Sequence, residues 1–144
     1  MTLTASTVEA LRELQQTCGD TAASKGFHDD RPTEYRYESE PVYQSAKRDW
    51  QGNKLLLIVS EVVEAHDEIR NGRAADETYY PTATGEALLH SDGPFKPEGV
   101  PSEIADAVIR CFDFAYTEGF DLAGIIAEKL VYNASRERLH GKKF

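Results

Sequence analysis

The sequence has little cysteine and no long hydrophobic run. Its two cysteines, Cys18 and Cys111, are too few for a disulfide framework and lie in no CxxC or Cys/His cluster that would bind zinc. The longest apolar run covers only residues 55–59, whereas a membrane-spanning helix needs about 20 residues. The chain does not open with a basic segment followed by an apolar stretch, as a signal peptide would. We therefore expect a cytoplasmic protein with reduced thiols and no membrane contact.

Positive charge is also scarce. The chain has 16 lysines and arginines against 25 acidic residues, a formal net charge of −9. Such a chain repels DNA and anionic membranes, so nucleic acid is not an expected partner. The sequence contains neither a GxxxxGK[ST] loop that cradles phosphates nor a GxSxG motif around a nucleophilic serine. A polyphosphate would therefore have to be bound through a divalent cation and basic side chains, because the metal supplies the missing positive charge.

Helical periodicity is the dominant pattern in the 144 residues, a length that suits one domain spanning 1–144. The strongest apolar stripe lies within 54–71 and recurs at helical spacing. It consists of Leu55, Ile58, Val59, Val62, Ala65 and Ile69. Further helices are predicted over about 6–17, 103–118 and 121–138, with shorter helical stretches at 21–25 and 43–50. The sequence therefore predicts an all-α fold of about four helices packed as a bundle.

Residues 72–101 interrupt this helical pattern. They contain four prolines, several glycines and no sustained periodicity. Loops of this length are usually functional or mobile. We expect a long irregular loop between two of the main helices, with a short hairpin within 78–89.

The two helices that flank this loop each carry an acidic pair at positions i and i+3. The pairs are Glu61 with Glu64 and Glu103 with Asp106. Residues three apart lie on the same side of a helix, and both pairs border an apolar stripe. If the helices pack together, four carboxylates meet at the rim of the core, where their mutual repulsion favours a bound cation. Oxygen ligands suit Mg²⁺, with Mn²⁺ as a substitute. A di-iron bundle would instead require Glu-x-x-His on two helices, whereas the residues three after Glu61 and Glu103 are Glu64 and Asp106. A solvated acidic face is the simpler alternative.

Three segments together resemble a known family. KLLLIVSEVVEAHDEIRNGR, PSEIADAVIRCFDFAYTEGFDL and EKLVYNASRERLHGKKF are similar to the MazG-like members of the all-α nucleoside triphosphate pyrophosphohydrolases, whose pattern is ExxE, a spacer and ExxD. The resemblance implies a MazG-like four-helix bundle that forms homodimers or homotetramers. It also implies Mg²⁺-dependent cleavage of a nucleoside triphosphate into a monophosphate and pyrophosphate, a reaction suited to cleansing the nucleotide pool.

The resemblance assigns roles to particular residues. Glu61, Glu64, Glu103 and Asp106 match the family's metal ligands. Glu61 and Glu64 are also candidates for the general base that activates water. The motif in the last helix implies residues that hold the triphosphate, and a tyrosine lies beside them. These are Lys129, Asn133, Arg136 and Tyr132.

Further candidates for substrate binding precede the first acidic pair in the sequence. Trp50 is a candidate for stacking on the nucleobase, and Lys54 for contacting a phosphate. Packing of Trp50 in the core or in an interface is the alternative interpretation.

The chain departs from the family in its spacer, since 38 residues separate Glu64 from Glu103. The extra length is the 72–101 loop insertion, which we expect to influence the choice of substrate. Two other functions stay open on the sequence. One is a non-catalytic helical bundle that binds a nucleotide or a protein partner. The other is a phosphoribosyl-ATP pyrophosphohydrolase, which shares the motif.

Overall fold

The computed structural model of the chain describes residues 2–81, 87–88 and 95–137. These residues form four α-helices: α1 (Ala5–Ser24), α2 (Glu40–Arg70), α3 (Val100–Glu118) and α4 (Leu122–Ser135). A 3₁₀ turn (Glu34–Arg36) precedes α2, and two short strands, β1 (Tyr80–Pro81) and β2 (Ala87–Leu88), lie between α2 and α3. The predicted all-α class is therefore confirmed.

The described residues divide into two compact units. One contains 2–29 and 112–137, and the other contains 30–81, 87–88 and 95–111. In the first unit, α1 packs against α4. The second unit contains α2, the two strands and the first part of α3, and it carries both acidic pairs.

Helix α1 is longer than the sequence predicts. Thr4 caps it by accepting a hydrogen bond from the backbone N–H of Thr7 at 3.1 Å. The helix continues through Gly19, where an end was expected, and absorbs the separate stretch predicted at 21–25. The ring of Tyr116 lies against Gly19 at the place that a Cβ would occupy. Gly19 is therefore a contact point within a helix, and the chain turns only at Gly26, where φ is 80°.

Helix α2 is one continuous helix of 31 residues. The sequence predicts two helical stretches with an interruption at Gly52 and Asn53. A single glycine costs a helix only about 0.5–1 kcal/mol relative to alanine, which the helix on both sides of Gly52 can offset. As a consequence, Trp50, Lys54 and Glu61 lie on the same straight element.

The apolar stripe of α2 does not form the buried side of this helix. Of the six predicted stripe residues, only Ala65 is buried, whereas Leu55, Val59 and Val62 are each about half exposed. The buried residues of α2 are Trp50, Glu61 and Ala65. In the single chain the apolar stripe is therefore largely exposed, and the buried edge of α2 carries an acid.

The base of the loop between α2 and α3 is hydrogen-bonded. Tyr79 and Glu98 exchange two backbone hydrogen bonds, of 3.1 and 2.9 Å. Strands β1 and β2 pair antiparallel, with Tyr80 opposite Leu88. The hairpin predicted within 78–89 is thus present, although 82–86 and 89–94 lie outside the described residues. The two ends of the loop are held together before α3 begins.

Helix α4 begins where the sequence predicts. The side chain of Asp121 accepts a hydrogen bond from the backbone N–H of Gly124 at 3.0 Å, which caps the helix. The helix ends at Ser135, earlier than the predicted 138, so Arg136 follows the helix. Within the described part of the chain, no helix combines the length and the hydropathy that crossing a bilayer requires.

Candidate metal centre

Three of the four predicted metal ligands meet within the second unit. Glu61 from α2 and Glu103 and Asp106 from α3 each offer a carboxylate oxygen, and these oxygens lie within 4.8 Å of one another. Ligand oxygens of an octahedral Mg²⁺ are about 3.0 Å apart at neighbouring positions and about 4.2 Å apart at opposite ones, since each Mg–O bond is about 2.1 Å. The purely oxygen donor set suits a hard divalent cation, and the three side chains would have to move closer together to bind it. We call these three residues the acidic trio.

Glu103 is the most unusual member of the acidic trio. It is 4% exposed, and its carboxylate has no hydrogen-bond or ion-pair partner among the described residues. Burial raises its pKa, and the charges of Glu64, Glu98 and Glu61 raise it further, against an opposing effect of Lys96. Ionised carboxylates are almost never buried unless they are paired or coordinate a metal. Because no fully buried side-chain oxygen of the described residues lacks a hydrogen-bond partner, the unpartnered carboxylate of Glu103 reaches solvent, where a cation can approach it.

Glu64, the fourth predicted ligand, lies outside the acidic trio. It is exposed, but its charge contributes to the raised pKa of Glu103. The structure thus places Glu64 beside the trio rather than in it. Its role as a metal ligand stays a prediction.

Arg110 contacts the acidic trio directly. Its Nε donates a hydrogen bond to Oε1 of Glu61 at 2.6 Å, and the side chains of Arg110 and Glu61 are 39% and 6% exposed. No motif in the sequence indicated this residue. A signal was available, because Arg110 lies seven residues after Glu103 and four after Asp106, which places all three on one side of α3.

Lys96 supplies a second positive charge near the acidic trio. Its Nζ donates a hydrogen bond to Oε2 of Glu98 at 3.1 Å. That hydrogen bond is the main reason why the pKa of Lys96 is raised, and the charges of Glu98, Glu103 and Asp106 contribute against the opposing effect of desolvation. The side chain of Lys96 is 64% exposed, so it can reach a ligand. The sequence offered no signal for Lys96, because the loop that carries it has no periodicity.

Trp50 and Lys54 lie further along α2 and contact each other. Trp50 is 7% exposed, and its indole N–H donates a hydrogen bond to Oδ1 of Asp30 at 3.0 Å. The Nζ of Lys54 lies 5.1 Å from the centre of the Trp50 ring and 3.5 Å from Oδ1 of Asp30. Trp50 is therefore packed inside the second unit, which agrees with the alternative interpretation of this residue as a core residue. Stacking on a base would require the ring to become accessible.

The predicted triphosphate-binding residues of the C-terminal motif lie in the first unit. The ring of Tyr132 has Lys129 Nζ at 5.5 Å and Arg136 Cζ at 5.7 Å from its centre. Asn133 is exposed on the same helix. Lys129, Arg136 and Tyr132 form a positively charged group around an exposed aromatic ring. Their role in binding substrate stays a prediction.

Comparisons with known protein families, with curated proteins and with solved structures found no match for this chain. Its function is therefore inferred from the acidic trio and from the motifs in its sequence.

Proposed function

We propose that this chain is a Mg²⁺-dependent nucleoside triphosphate pyrophosphohydrolase with the MazG-like four-helix bundle. The observation that carries the proposal is the environment of Glu103. The residue is only 4% exposed, its carboxylate lacks a partner among the described residues, and it offers an oxygen within 4.8 Å of oxygens from Glu61 and Asp106. A divalent cation removes the repulsion between these charges. Mn²⁺ suits the same ligands and is expected to replace Mg²⁺.

Both the metal and the acidic side chains have a role in the proposed hydrolysis. A bound Mg²⁺ would neutralise phosphate charge and lower the pKa of a water molecule. Glu61, Glu103 and Asp106 would hold the ion. Glu64 is exposed and stands beside them, so it is available to accept the proton of the attacking water, whereas Glu61 is engaged by Arg110. The water oxygen bonds to the α-phosphorus, and the bond to the oxygen that bridges to the β-phosphorus breaks.

The triphosphate also needs cations from the protein, because the chain as a whole is strongly acidic. Lys96 is exposed near the acidic trio and is a phosphate-binding candidate. Lys54 precedes Glu61 by seven residues and so lies on the same edge of α2. Lys129 and Arg136 in the C-terminal motif are the remaining candidates, with Asn133 between them. Arginine and lysine both bind phosphate well, arginine often through two parallel hydrogen bonds.

A homodimer or homotetramer is part of this proposal. Apolar residues of three helices are about half exposed in the single chain: Leu55, Leu56, Val59, Val62 and Val63 in α2, Ile104, Val108 and Ile109 in α3, and Ile125, Leu130 and Val131 in α4. Large exposed apolar patches on a protein usually mark an interaction surface. Other copies of the chain would bury these residues.

The test is a panel of ribo- and deoxynucleoside triphosphates, with phosphoribosyl-ATP included, scored for pyrophosphate release with Mg²⁺. We expect release from at least one nucleoside triphosphate. Glu103→Gln should lower kcat/KM by at least about 100-fold, since losing a few kcal/mol of charge stabilisation has that effect on rate.

The matched control is Glu13→Gln, which changes an exposed glutamate of α1 and should leave the rate unchanged. If no triphosphate yields pyrophosphate, or if Glu103→Gln keeps full activity, the proposal is wrong. Binding of a nucleotide without turnover would indicate the non-catalytic alternative. Turnover of phosphoribosyl-ATP alone would indicate the other enzyme class.

A further inference from the structure

The contact between Arg110 and Glu61 joins two helices at the acidic trio. Arg110 lies on α3 and Glu61 on α2, 49 residues apart in the chain. The carboxylate of Glu61 is almost completely buried, whereas Arg110 is partly exposed and so approaches it from the solvent side. Within the described residues, Arg110 is the one cationic side chain that forms an ion pair with a member of the trio. Lys96, the other nearby cation, pairs with Glu98.

The charge balance around this contact is unfavourable in the metal-free protein. Three carboxylates converge in the trio, and the charges of Glu64 and Glu98 also act on Glu103. A buried charge is destabilising unless it has a partner of opposite sign. Arg110 provides that partner for Glu61, while Glu103 has none among the described residues.

We propose that Arg110 is a resident counter-ion of the acidic trio, which balances its charge when no divalent cation is bound and opposes the binding of that cation. This inference rests on the proposed metal site. The reason is that Arg110 and a divalent cation are both positive and both interact with the carboxylate of Glu61. Each therefore weakens the binding of the other, so Arg110 lowers the affinity of the site for the metal by a measurable amount.

A purely structural role for Arg110 would have the opposite effect on metal binding. If Arg110 served only to orient Glu61 as a ligand, its loss would leave Glu61 poorly placed and would weaken metal binding. If Arg110 is a counter-ion, its loss removes a repulsive charge and strengthens metal binding. The sign of the change in affinity separates the two roles.

The experiment compares the full-length wild type with Arg110→Gln and Arg110→Lys. Mn²⁺ alone is titrated into each protein, and free Mn²⁺ is read by electron paramagnetic resonance. Thermal unfolding is recorded in EDTA and in Mg²⁺, without nucleotide. We expect Arg110→Gln to lower the Tm in EDTA, to bind Mn²⁺ about 10-fold more tightly, and to show a larger rise in Tm with Mg²⁺ than the wild type. Arg110→Lys keeps the charge and should stay close to the wild type in Mn²⁺ affinity.

Two further variants make the result interpretable. Arg70→Gln breaks an exposed ion pair of α2 with Asp67 and should change neither the Mn²⁺ affinity nor the response to Mg²⁺. If Arg110→Gln does not fold without metal, Glu61→Gln combined with Arg110→Gln should fold in EDTA, because the double change leaves no unpaired charge at this contact. Failure of the double variant to fold in EDTA would contradict the counter-ion role.

The outcomes also separate this inference from the proposed function. Unchanged or weaker Mn²⁺ binding by Arg110→Gln, with clear binding by the wild type, overturns the counter-ion role and leaves the metal site in place. Absence of Mn²⁺ binding by both proteins overturns the proposed metal site and this inference with it.

Discussion

Glu103 is an acidic residue in an environment that disfavours its charge. The residue is only 4% exposed, desolvation raises its pKa, and its carboxylate has no hydrogen-bond donor among the described residues. Such groups are typical of functional sites, where stability is given up for chemistry.

This environment leads to a prediction about metal-free stability. Glu103→Gln removes the buried charge while keeping the shape of the side chain, so the variant should unfold at a higher temperature than the wild type in EDTA. A gain of 1 kcal/mol would raise Tm by roughly 2–8 °C for a domain of this size. Differential scanning calorimetry measures the shift.

The comparison with Mg²⁺ completes this prediction. Mg²⁺ should raise the Tm of the wild type but not that of Glu103→Gln, because the variant lacks a ligand. A lower Tm for Glu103→Gln in EDTA would mean that Glu103 has a stabilising partner in the folded protein.

At the scale of the helix, two glycines have opposite roles. Gly19 in α1 lies against the ring of Tyr116, where a Cβ would clash. Gly52 in α2 has nothing within 4 Å of the position that a Cβ would take. Both were expected to end or interrupt a helix, and neither does, because tertiary packing and the neighbouring residues outweigh the small helix-forming deficit of glycine.

The same alanine substitution should therefore have opposite effects at these two sites. Gly52→Ala should stabilise the protein by about 0.5–1 kcal/mol, since alanine is the better helix former. Gly19→Ala should destabilise it by about 1–3 kcal/mol, because the added methyl group overpacks the contact with Tyr116. Urea denaturation followed by circular dichroism measures both values. Equal effects at the two positions would show that Gly19 has no special packing role.

At the scale of the whole molecule, the exposed apolar residues are the feature that the single chain leaves unexplained. Leu56 in α2 is 64% exposed, and its neighbours on this helix include several half-exposed aliphatic residues. The apolar residues of α2 have the helical period that would let them face another helix. This pattern agrees with the proposed homo-oligomer.

The oligomer can be tested at Leu56. The wild type should elute with two or four times the 16.1 kDa mass of one chain, as measured by size-exclusion chromatography with light scattering. Leu56→Glu should shift the population toward the single chain, because it places a charge on an apolar surface. Ser45→Glu, at an exposed polar position of the same helix, is the control and should leave the mass unchanged. A wild type that elutes at 16.1 kDa would contradict the proposed oligomer.

Much of the fold could be predicted because helix formation depends on local patterns. The periodicity of apolar residues indicated the main helices, and α4 begins where the sequence predicts, with Asp121 as its cap. The helix boundaries predicted near Gly19 and Gly52 were wrong, because whether a glycine ends a helix depends on its contacts in space as well as on its neighbours in sequence. The buried residues of α2 could not be predicted, because an apolar stripe indicates a face that prefers burial but not which contact will bury it.

The candidate site could likewise be predicted only in part from the sequence. The sequence by itself determined that the protein is all-α and that two helices carry acidic pairs on one side of each, since both properties follow from the period of a helix. Only the tertiary structure decided that Glu61, Glu103 and Asp106 converge while Glu64 stays exposed, that Glu103 is buried without a partner among the described residues, and that Arg110 pairs with Glu61. The physical reason is that burial and ion pairing depend on which helix faces meet, and those contacts join residues tens of positions apart in the chain.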